Sequence, residues 1–306
     1  MKTLILNSSN IVPGTNNSVL QYSFPAGSIT MAPGQKVALA SLQMYYSSFN
    51  ITAAYGNNLF NYIWVDGISY PVLFPDGFYD IVAINNYLHY VMLLNGHYLL
   101  SGGNYVYLIT FTANANLYAI QSNNFPISVG IATTNTWTLP ANATWALPTN
   151  SIVPMIQILN NAFKNIVGFN PGYYPQGSPT LARAVITGVS PNQTQAPAYA
   201  TVQTYTSAFV PQVTPISSFV LSCSLINNNY AIPNNLLYSF TPQGTFGEQF
   251  TISPNQLVFI DAQQGQKDKF TVTFTDQNNL PVAIQDPTIV IMIIITDVGD
   301  VLSLSK

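Results

Sequence analysis

The chain has 306 residues and a formal net charge of −3, and only 6% of its residues are charged, against 48% hydrophobic and 13% aromatic. Ordinary soluble domains have about 25% charged residues. The apolar content excludes intrinsic disorder, and seven Lys and Arg residues provide no basic field for binding nucleic acid. The longest strongly apolar run, residues 289–295, is too short for a membrane-spanning helix, which needs roughly 20 residues. Near the amino terminus only residues 4–6 are consecutively apolar, too few for a secretory signal, so we expect no targeting segment.

Short runs of β-branched and aromatic residues, separated by Pro, Gly and Asn, predict an antiparallel β protein. At the amino end the pattern predicts strands at residues 19–24, 35–46 and 59–65. At the carboxyl end it predicts strands at residues 219–226, 236–240, 249–252, 257–262, 270–275 and 289–296. This spacing is typical of a β-sandwich. The run 289–295 would aggregate as an exposed edge, so we expect it to form a central strand.

Two segments have helical periodicity. The first follows the turn at residues 75–77, and its apolar positions recur at helical spacing: Ile81, Ile84, Leu88, Val91 and Met92. Asp80 precedes this helix and Asn95-Gly96 ends it. The second helix is short, carries Leu159, Phe163 and Ile166 on one face, and ends at Gly168. Both helices should pack against sheets.

Between the two helices a hairpin is predicted, with strands at residues 105–112 and 117–121 and a turn at 113–116. From about residue 131 to 215 the periodicity fails, and Pro, Gly, Gln and Thr accumulate. So long a stretch indicates an inserted, loop-rich subdomain with some strands. We therefore predict a sandwich from residues 1–65 and 211–306, with an inserted subdomain at 66–210.

The residues that most enzymes use are scarce. The two histidines, His89 and His97, are expected to face solvent or to cap a helix, because eight residues separate them and no further zinc ligands accompany them. The single cysteine, Cys223, lies in an alternating apolar run without a nearby cation, so a buried, inert thiol is expected.

The carboxylates do not form a catalytic pair. Glu248 is the only glutamate, and most aspartates accompany turn residues. Asp297 and Asp300 flank Gly299, but the calcium-loop pattern of an EF-hand is absent. We therefore assign no catalytic, cofactor-binding or metal-ligating residue, expect no cofactor, and predict that the protein is not an enzyme.

Three tryptophans, Trp64, Trp137 and Trp145, accompany many tyrosines. Aromatic faces form sugar-binding platforms in lectins, and they also pack in cores and interfaces, which is the favoured interpretation here. Five glycosylation sequons are expected by chance in so Asn-rich a chain: Asn7, Asn16, Asn50, Asn142 and Asn192.

Several segments, taken in order, resemble the penton, or minor capsid, proteins of virophages and of the related polinton-type viruses. The first group resembles the first long strand, the strand after it, a proline-acid-glycine turn with its amphipathic helix, and a further recurrent element: residues 36–52, 57–64, 74–92 and 163–175. The second group resembles the closing strands: residues 218–228, 235–242 and 270–295.

This resemblance implies an all-β fold, a single jelly-roll β-sandwich with a loop-rich insertion domain and one or two short helices. It implies homopentamers at the fivefold vertices of an icosahedral capsid, beside a double jelly-roll major capsid protein, with the insertion facing outward. The protein would be made in the host-cell cytoplasm and located in the virion. No active-site residue is implied.

Two other classes of protein are alternatives. A carbohydrate-binding adhesin or lectin-like module would use exposed aromatic rings, and a secreted β-fold hydrolase is a third possibility. Host attachment is also compatible with a capsid vertex. The segment WTLPANATW, residues 137–145, is the candidate for recognising a host-surface glycan or receptor.

Overall fold

A computed structural model describes residues 1–175 and 202–297. Part of the predicted loop-rich stretch, residues 176–201 with the sequon at Asn192, and Gly299 with Asp300 lie outside the described residues. The strands in chain order are β1 (Lys2–Leu6), β2 (Val19–Ser23), β3 (Ile29–Met31), β4 (Lys36–Tyr45), β5 (Leu59–Ile63), β6 (Ser69–Leu73), β7 (Leu99–Ser101), β8 (Asn104–Val106), β9 (Ile109–Asn114), β10 (Ala119–Asn124), β11 (Met155–Ile158), β12 (Gly172–Tyr174), β13 (Gln203–Thr206), β14 (Phe219–Cys223), β15 (Leu236–Phe240), β16 (Gln249–Ile252), β17 (Ile260–Asp261), β18 (Gly265–Lys267), β19 (Lys269–Asp276) and β20 (Val290–Thr296). The α-helices are α1 (Ile81–Leu94), α2 (Val129–Thr134) and α3 (Phe163–Val167), and a 3₁₀ helix spans Ser8–Asn10.

The chain forms two compact units. Unit 1 combines both ends of the chain, Met1–Phe49 and Ile216–Lys306, and unit 2 is the intervening segment Asn50–Pro215. The sequence analysis placed residues 59–65 in the sandwich. Instead, β5 pairs with β6 and β11, so this strand lies in unit 2.

Unit 1 has jelly-roll topology. One sheet has the strand order β1-β20-β4-β16, and the other has the order β2-β19-β14-β15. When the eight strands are lettered B to I along the chain, these orders become B-I-D-G and C-H-E-F, which is the jelly-roll arrangement. β17 pairs with β4, and β3 pairs with β18. All pairings are antiparallel, and the predicted all-β jelly-roll fold is confirmed.

Alternation along each strand places one face of each sheet in the core of unit 1. The inward residues of β20 are Ile291, Ile293 and Ile295, none of them more than 1% exposed. β20 lies between β1 and β4, so the prediction that residues 289–295 form a central strand is confirmed. β1 was not predicted, because its apolar run is only three residues long.

Unit 2 contains two larger antiparallel sheets, with the orders β13-β10-β9 and β12-β11-β5-β6, and the β7–β8 hairpin. The prediction that the first helix packs against sheets is confirmed, because α1 lies along the open edge of each larger sheet. At the edge of β9, the side-chain oxygen Oδ1 of Asn85 accepts from the backbone N–H of Phe111 (2.8 Å), and His89 Nε2 lies 3.0 Å from the Ile109 carbonyl oxygen. These contacts occupy backbone groups that an edge strand otherwise leaves unpaired.

At the edge of β6, the Tyr87 hydroxyl donates to the Leu73 carbonyl oxygen (2.9 Å). α1 begins at the N-cap Asp80, whose side chain accepts from the backbone N–H of Ala83 (2.7 Å). Side-chain capping of this kind satisfies a donor that the first turn leaves free. α1 therefore joins the two sheet edges of unit 2.

The secondary structure of unit 2 differs from the prediction in two ways. The structure describes three α-helices, where one or two short helices were expected, and the additional one is α2, whose six residues are too few to show a helical period. The predicted hairpin is present as β9 and β10, two to four residues further along the chain at each strand start. α3 ends at Gly168, whose φ of 75° suits glycine.

Candidate interaction surfaces

The structure brings no catalytic set together in the described residues. Residues 1–175 and 202–297 contain no group of three or more His, Cys, Asp or Glu side chains able to hold a metal ion. Cys223 is completely buried in the jelly roll, as predicted, and burial raises the pKa of its thiol to about 12. The thiolate that a nucleophile requires is therefore strongly disfavoured.

Asp276 and Glu248 serve local backbone structure, and a turn role was predicted for Asp276. The Asp276 carboxylate accepts from the backbone N–H groups of Asn278 (2.8 Å) and Leu280 (2.9 Å) and so forms the turn after β19. The Glu248 carboxylate accepts from the Thr245 backbone N–H (2.8 Å), and this bond lowers the pKa of Glu248.

The expectation that His97 faces solvent is wrong, whereas the alternative that it caps a helix is met by its backbone N–H, which donates to the Met92 carbonyl oxygen in the last turn of α1 (2.8 Å). The side chain is 1% exposed, and its ring lies parallel to Trp64 with the centroids 4.8 Å apart. Tyr70 meets the same ring edge-on at 4.5 Å. Burial lowers the pKa of His97 to about 4. No periodic pattern includes this residue, because it lies in a loop just after α1.

The same expectation fails for His89. Its ring stacks on Tyr107 with a centroid distance of 3.9 Å. Its Nε2 atom forms a hydrogen bond with the Ile109 carbonyl oxygen at the edge of β9. The side chain is half-buried, and burial lowers the pKa to about 4. Both histidines therefore pack inside unit 2, His89 within α1 and His97 just after its end.

The three tryptophans do not form a sugar-binding platform. Trp64, Trp137 and Trp145 are 1%, 5% and 8% exposed, and the Trp145 indole N–H donates to the Gly96 carbonyl oxygen (2.7 Å). Trp64 and Trp145 pack edge to face at 5.0 Å. The core-packing interpretation is therefore correct, and segment 137–145 does not offer its tryptophan ring faces to a glycan.

Exposed apolar side chains were missed by the sequence analysis and mark the most distinctive surface of unit 1. The loop between β14 and β15 carries Tyr230 and Ile232, which are almost completely exposed. Backbone hydrogen bonds from Asn228 to Asn234 (2.6 Å) and from Ala231 to Asn228 (3.3 Å) order this loop. The available signal was two large apolar residues within a run of Asn and Pro, NNNYAIPNN.

Unit 2 has an uncharged outer face on α1. Val82, Tyr90 and Leu94 are spaced by multiples of four residues and are 61%, 52% and 63% exposed. The opposite face buries Ile84 and Leu88 completely. The 14-residue helix contains no charged residue, and the exposed Asn86 lies between Val82 and Tyr90, so the outer face is uncharged and mostly apolar.

A groove of about 560 Å³ lies near the tip of the β9–β10 hairpin in unit 2. Its apolar lining includes Ile81, Ile120 and Val213. Tyr118 stands at its rim with 76% exposure. The described part of unit 2 has four charged residues, listed here: Asp66, Asp76, Asp80 and Lys164.

The two ends of unit 2 are held together by one buried side chain. The Asn50 amide N–H₂ donates to the carbonyl oxygens of Tyr79 (2.8 Å) and Val213 (2.6 Å), and its carbonyl oxygen accepts from the Tyr79 backbone N–H (2.8 Å). Asn50 is the first residue of this unit, and Val213 is close to its last. The insertion thus begins and ends at neighbouring points.

No helix in residues 1–175 or 202–297 is both long enough and apolar enough to cross a bilayer.

No protein-family model matches the chain, and no curated protein matches it either. Among solved structures, the chain is similar to the crystal structure of the mavirus penton protein, with 13% identity, coverage of 97% of this chain and 98% of that chain, and a TM-score of 0.41. It is also similar to a chain of the cryo-EM structure of the Sputnik virophage, with 13% identity, coverage of 100% and 99%, and a TM-score of 0.38.

Proposed function

We propose that this chain is a structural virion protein, the penton or minor capsid subunit that forms homopentamers at the fivefold vertices of an icosahedral capsid. It would meet a double jelly-roll major capsid protein there, would be synthesised in the host-cell cytoplasm, and would perform no catalysis. The observation that carries this proposal is the fully exposed pair Tyr230 and Ile232 at the tip of an ordered loop on a jelly roll.

The surface chemistry supports an assembly role. Aromatic residues in exposed positions are enriched at protein interfaces and act as anchors when a partner desolvates them. An ordered loop loses little conformational entropy on binding. A surface with so few charges repels its neighbours weakly, which favours permanent contacts between subunits.

We propose further that the insertion is a separately folding domain. Unit 2 has its own aromatic core, in which Phe60 and Phe163 are completely buried and stack at 4.9 Å. Its two ends meet at Asn50, as expected of a domain inserted in a surface connection.

The mass of the purified protein tests the proposed function. Native mass spectrometry and light scattering over a range of concentrations should give five times the chain mass. A cyclic pentamer has a heterologous interface, so no stable dimer is expected as its end state. A monomer or a closed dimer at every concentration would contradict the homopentamer.

A double variant, Tyr230→Ser with Ile232→Ser, tests the role of the β14–β15 loop. We expect the variant to fold and to shift from pentamer towards monomer. The matched control is Val258→Ser with Leu280→Ser, which removes two exposed apolar side chains elsewhere in unit 1. If only the control variant lost the pentamer, the interface would be assigned to the surface around Val258 and Leu280 and not to the loop tip.

A further inference from the structure

An open groove lies between the two sheets of unit 1, on the side where β15 and β16 are the outermost strands. Each of these strands is the last of its sheet, so in the described residues one edge of each has no strand beside it. The groove has a volume of about 490 Å³, and its lining includes Ser239 and Phe240 of β15 and Thr251 of β16. Unpaired strand edges of this kind can accept a further strand.

The residues along the groove favour an added strand with one apolar and one polar face. Phe240 points inward, is 8% exposed, and packs against Phe250 of β16 with the ring centroids 6.0 Å apart. Ser239 and Thr251, on the opposite faces of the same strands, are exposed. The loop that carries Tyr230 leads directly into β15, so the groove adjoins the surface proposed above for contacts between subunits.

The segment that follows β20 has the required pattern. Residues 298–306, which read VGDVLSLSK, lie outside the described residues. After the glycine, Leu302 and Leu304 alternate with Ser303 and Ser305. Alternation of this kind is typical of a strand that buries one face.

Two edges of the same chain do not suit this segment. β20 has β1 on one side and β4 on the other, so the segment must turn back to reach an edge strand, and it would then run parallel to β1. Parallel neighbours need a connection of a dozen or more residues, and only residues 298–300 are available. The edge of β2 is already covered, because the Val12 N–H donates to the Val19 carbonyl oxygen (2.9 Å) and the Asn10 side chain donates to the Gln21 carbonyl oxygen (3.1 Å).

The groove of the same chain is out of reach. β20 ends at Thr296 opposite Lys36, and β16 ends at Ile252 opposite Leu42. The six residue steps from Lys36 to Leu42 correspond to about 20 Å along β4, and the open edge of β16 is three strand spacings, about 14 Å, from β20. The combined distance is about 24 Å, whereas the five residue steps from Thr296 to residue 301 span at most about 18 Å.

We infer that residues 301–305 of one subunit add as a strand to the groove between β15 and β16 of a second subunit. Each subunit then donates one strand and accepts another, which is the heterologous relation that a closed ring requires. Backbone hydrogen bonds supply affinity, and Leu302 and Leu304 pack beside Phe240. The inference rests on the proposed homopentamer and specifies one of its contacts.

Disulfide trapping in the full chain tests the strand exchange. Ser303→Cys is combined with Thr251→Cys or with Ser239→Cys, and the buried Cys223 does not interfere. Mild oxidation should give covalent multimers of up to five chains on denaturing, non-reducing gels. The matched control pairs Ser303→Cys with Thr3→Cys, at an exposed position of the edge strand β1. Multimers from the control alone, a disulfide closed within one chain, or no multimers from either groove variant would overturn the proposal.

Removal of residues 298–306 separates failure of this inference from failure of the proposed function. Cys223 of the shortened chain should stay unreactive towards a thiol reagent, which shows a folded jelly roll, and its pentamer should dissociate at a concentration at least tenfold higher than that of the full chain. An unchanged pentamer would overturn the strand exchange and leave the proposed function intact. A full chain that is monomeric at every concentration would contradict the homopentamer.

A fluorescent peptide of sequence VGDVLSLSK probes the groove without a ring. Anisotropy should show saturable binding to the shortened chain and at least tenfold weaker binding to its variant Ser239→Lys with Thr251→Lys. The matched control peptide carries serine in place of Leu302 and Leu304 and should not bind. Equal binding of both peptides, or no binding of the unchanged peptide, would contradict the proposed site.

Discussion

Replacing Asn50 with Ala tests whether one side chain holds the ends of the insertion together. The change removes three hydrogen bonds of 2.6–2.8 Å from a residue that is 2% exposed. Each such bond contributes about 1 kcal/mol net, and unpaired buried groups raise the cost. We therefore expect unit 2 to lose about 3 kcal/mol of unfolding free energy.

For a unit of this size, about 1 kcal/mol corresponds to roughly 2–4 °C in Tm, so the expected loss is about 6–12 °C. Thermal unfolding followed by tryptophan fluorescence reports this directly, because all three tryptophans are in unit 2. Asn50→Asp should lower Tm further at neutral pH, because a carboxylate oxygen would then face the carbonyl oxygens of Tyr79 and Val213.

The matched control is Asn86→Ala, at an exposed position of α1, where a change within about 0.5 kcal/mol is expected. A Tm loss for Asn50→Ala no larger than that of the control would refute the reasoning. The ends of unit 2 would then be held by the surrounding backbone, and the side chain would be dispensable.

Three further predictions concern the cores of the two units. Ile293→Asp places a carboxylate at a completely buried position of central strand β20, so the protein should not fold, and a soluble pentamer of this variant would show that the last strand is placed wrongly. Phe163→Ala removes a completely buried ring that stacks on Phe60 and should cost about 3–5 kcal/mol, measured by urea unfolding of the full chain; a cost below that of an exposed substitution would contradict the packing. The Cys223 thiol, with burial and a raised pKa, should be unreactive towards thiol reagents in the native protein and fully reactive in concentrated guanidinium, whereas rapid native labelling would contradict its burial.

Sequence patterns predicted the elements with strong local signals. β19 reads KFTVTFTD, and its alternation matches the burial of Phe270, Val272 and Phe274. α1 has an N-cap at Asp80 and a helical apolar repeat, so its start and its end at Leu94 agree with the expectation. These signals are local, because each depends on neighbouring residues along one strand or helix.

Partner choice between strands was not predictable, because alternation gives the face of a strand and not its neighbour. β5 has the pattern of a sandwich strand, but its partners are β6 and β11 in unit 2. The surroundings of His97 and Trp145 depend on loops that are distant in the sequence. No periodicity links residue 145 to the Gly96 carbonyl that its indole N–H contacts.

The jelly roll tolerates a large insertion because of where the insertion begins and ends. β4 and β14 are consecutive strands of unit 1, and they lie in different sheets, so the connection between them is a loop and not part of a hydrogen-bonded ladder. The cost of closing a flexible loop rises only slowly with its length, and a folded insertion with adjacent ends reduces the effective length further. The Asn50 to Val213 contact of 2.6 Å makes the insertion equivalent to a short connection. Removing this contact by replacing Asn50 should therefore destabilise unit 2 and leave the burial of Cys223 in unit 1 unchanged.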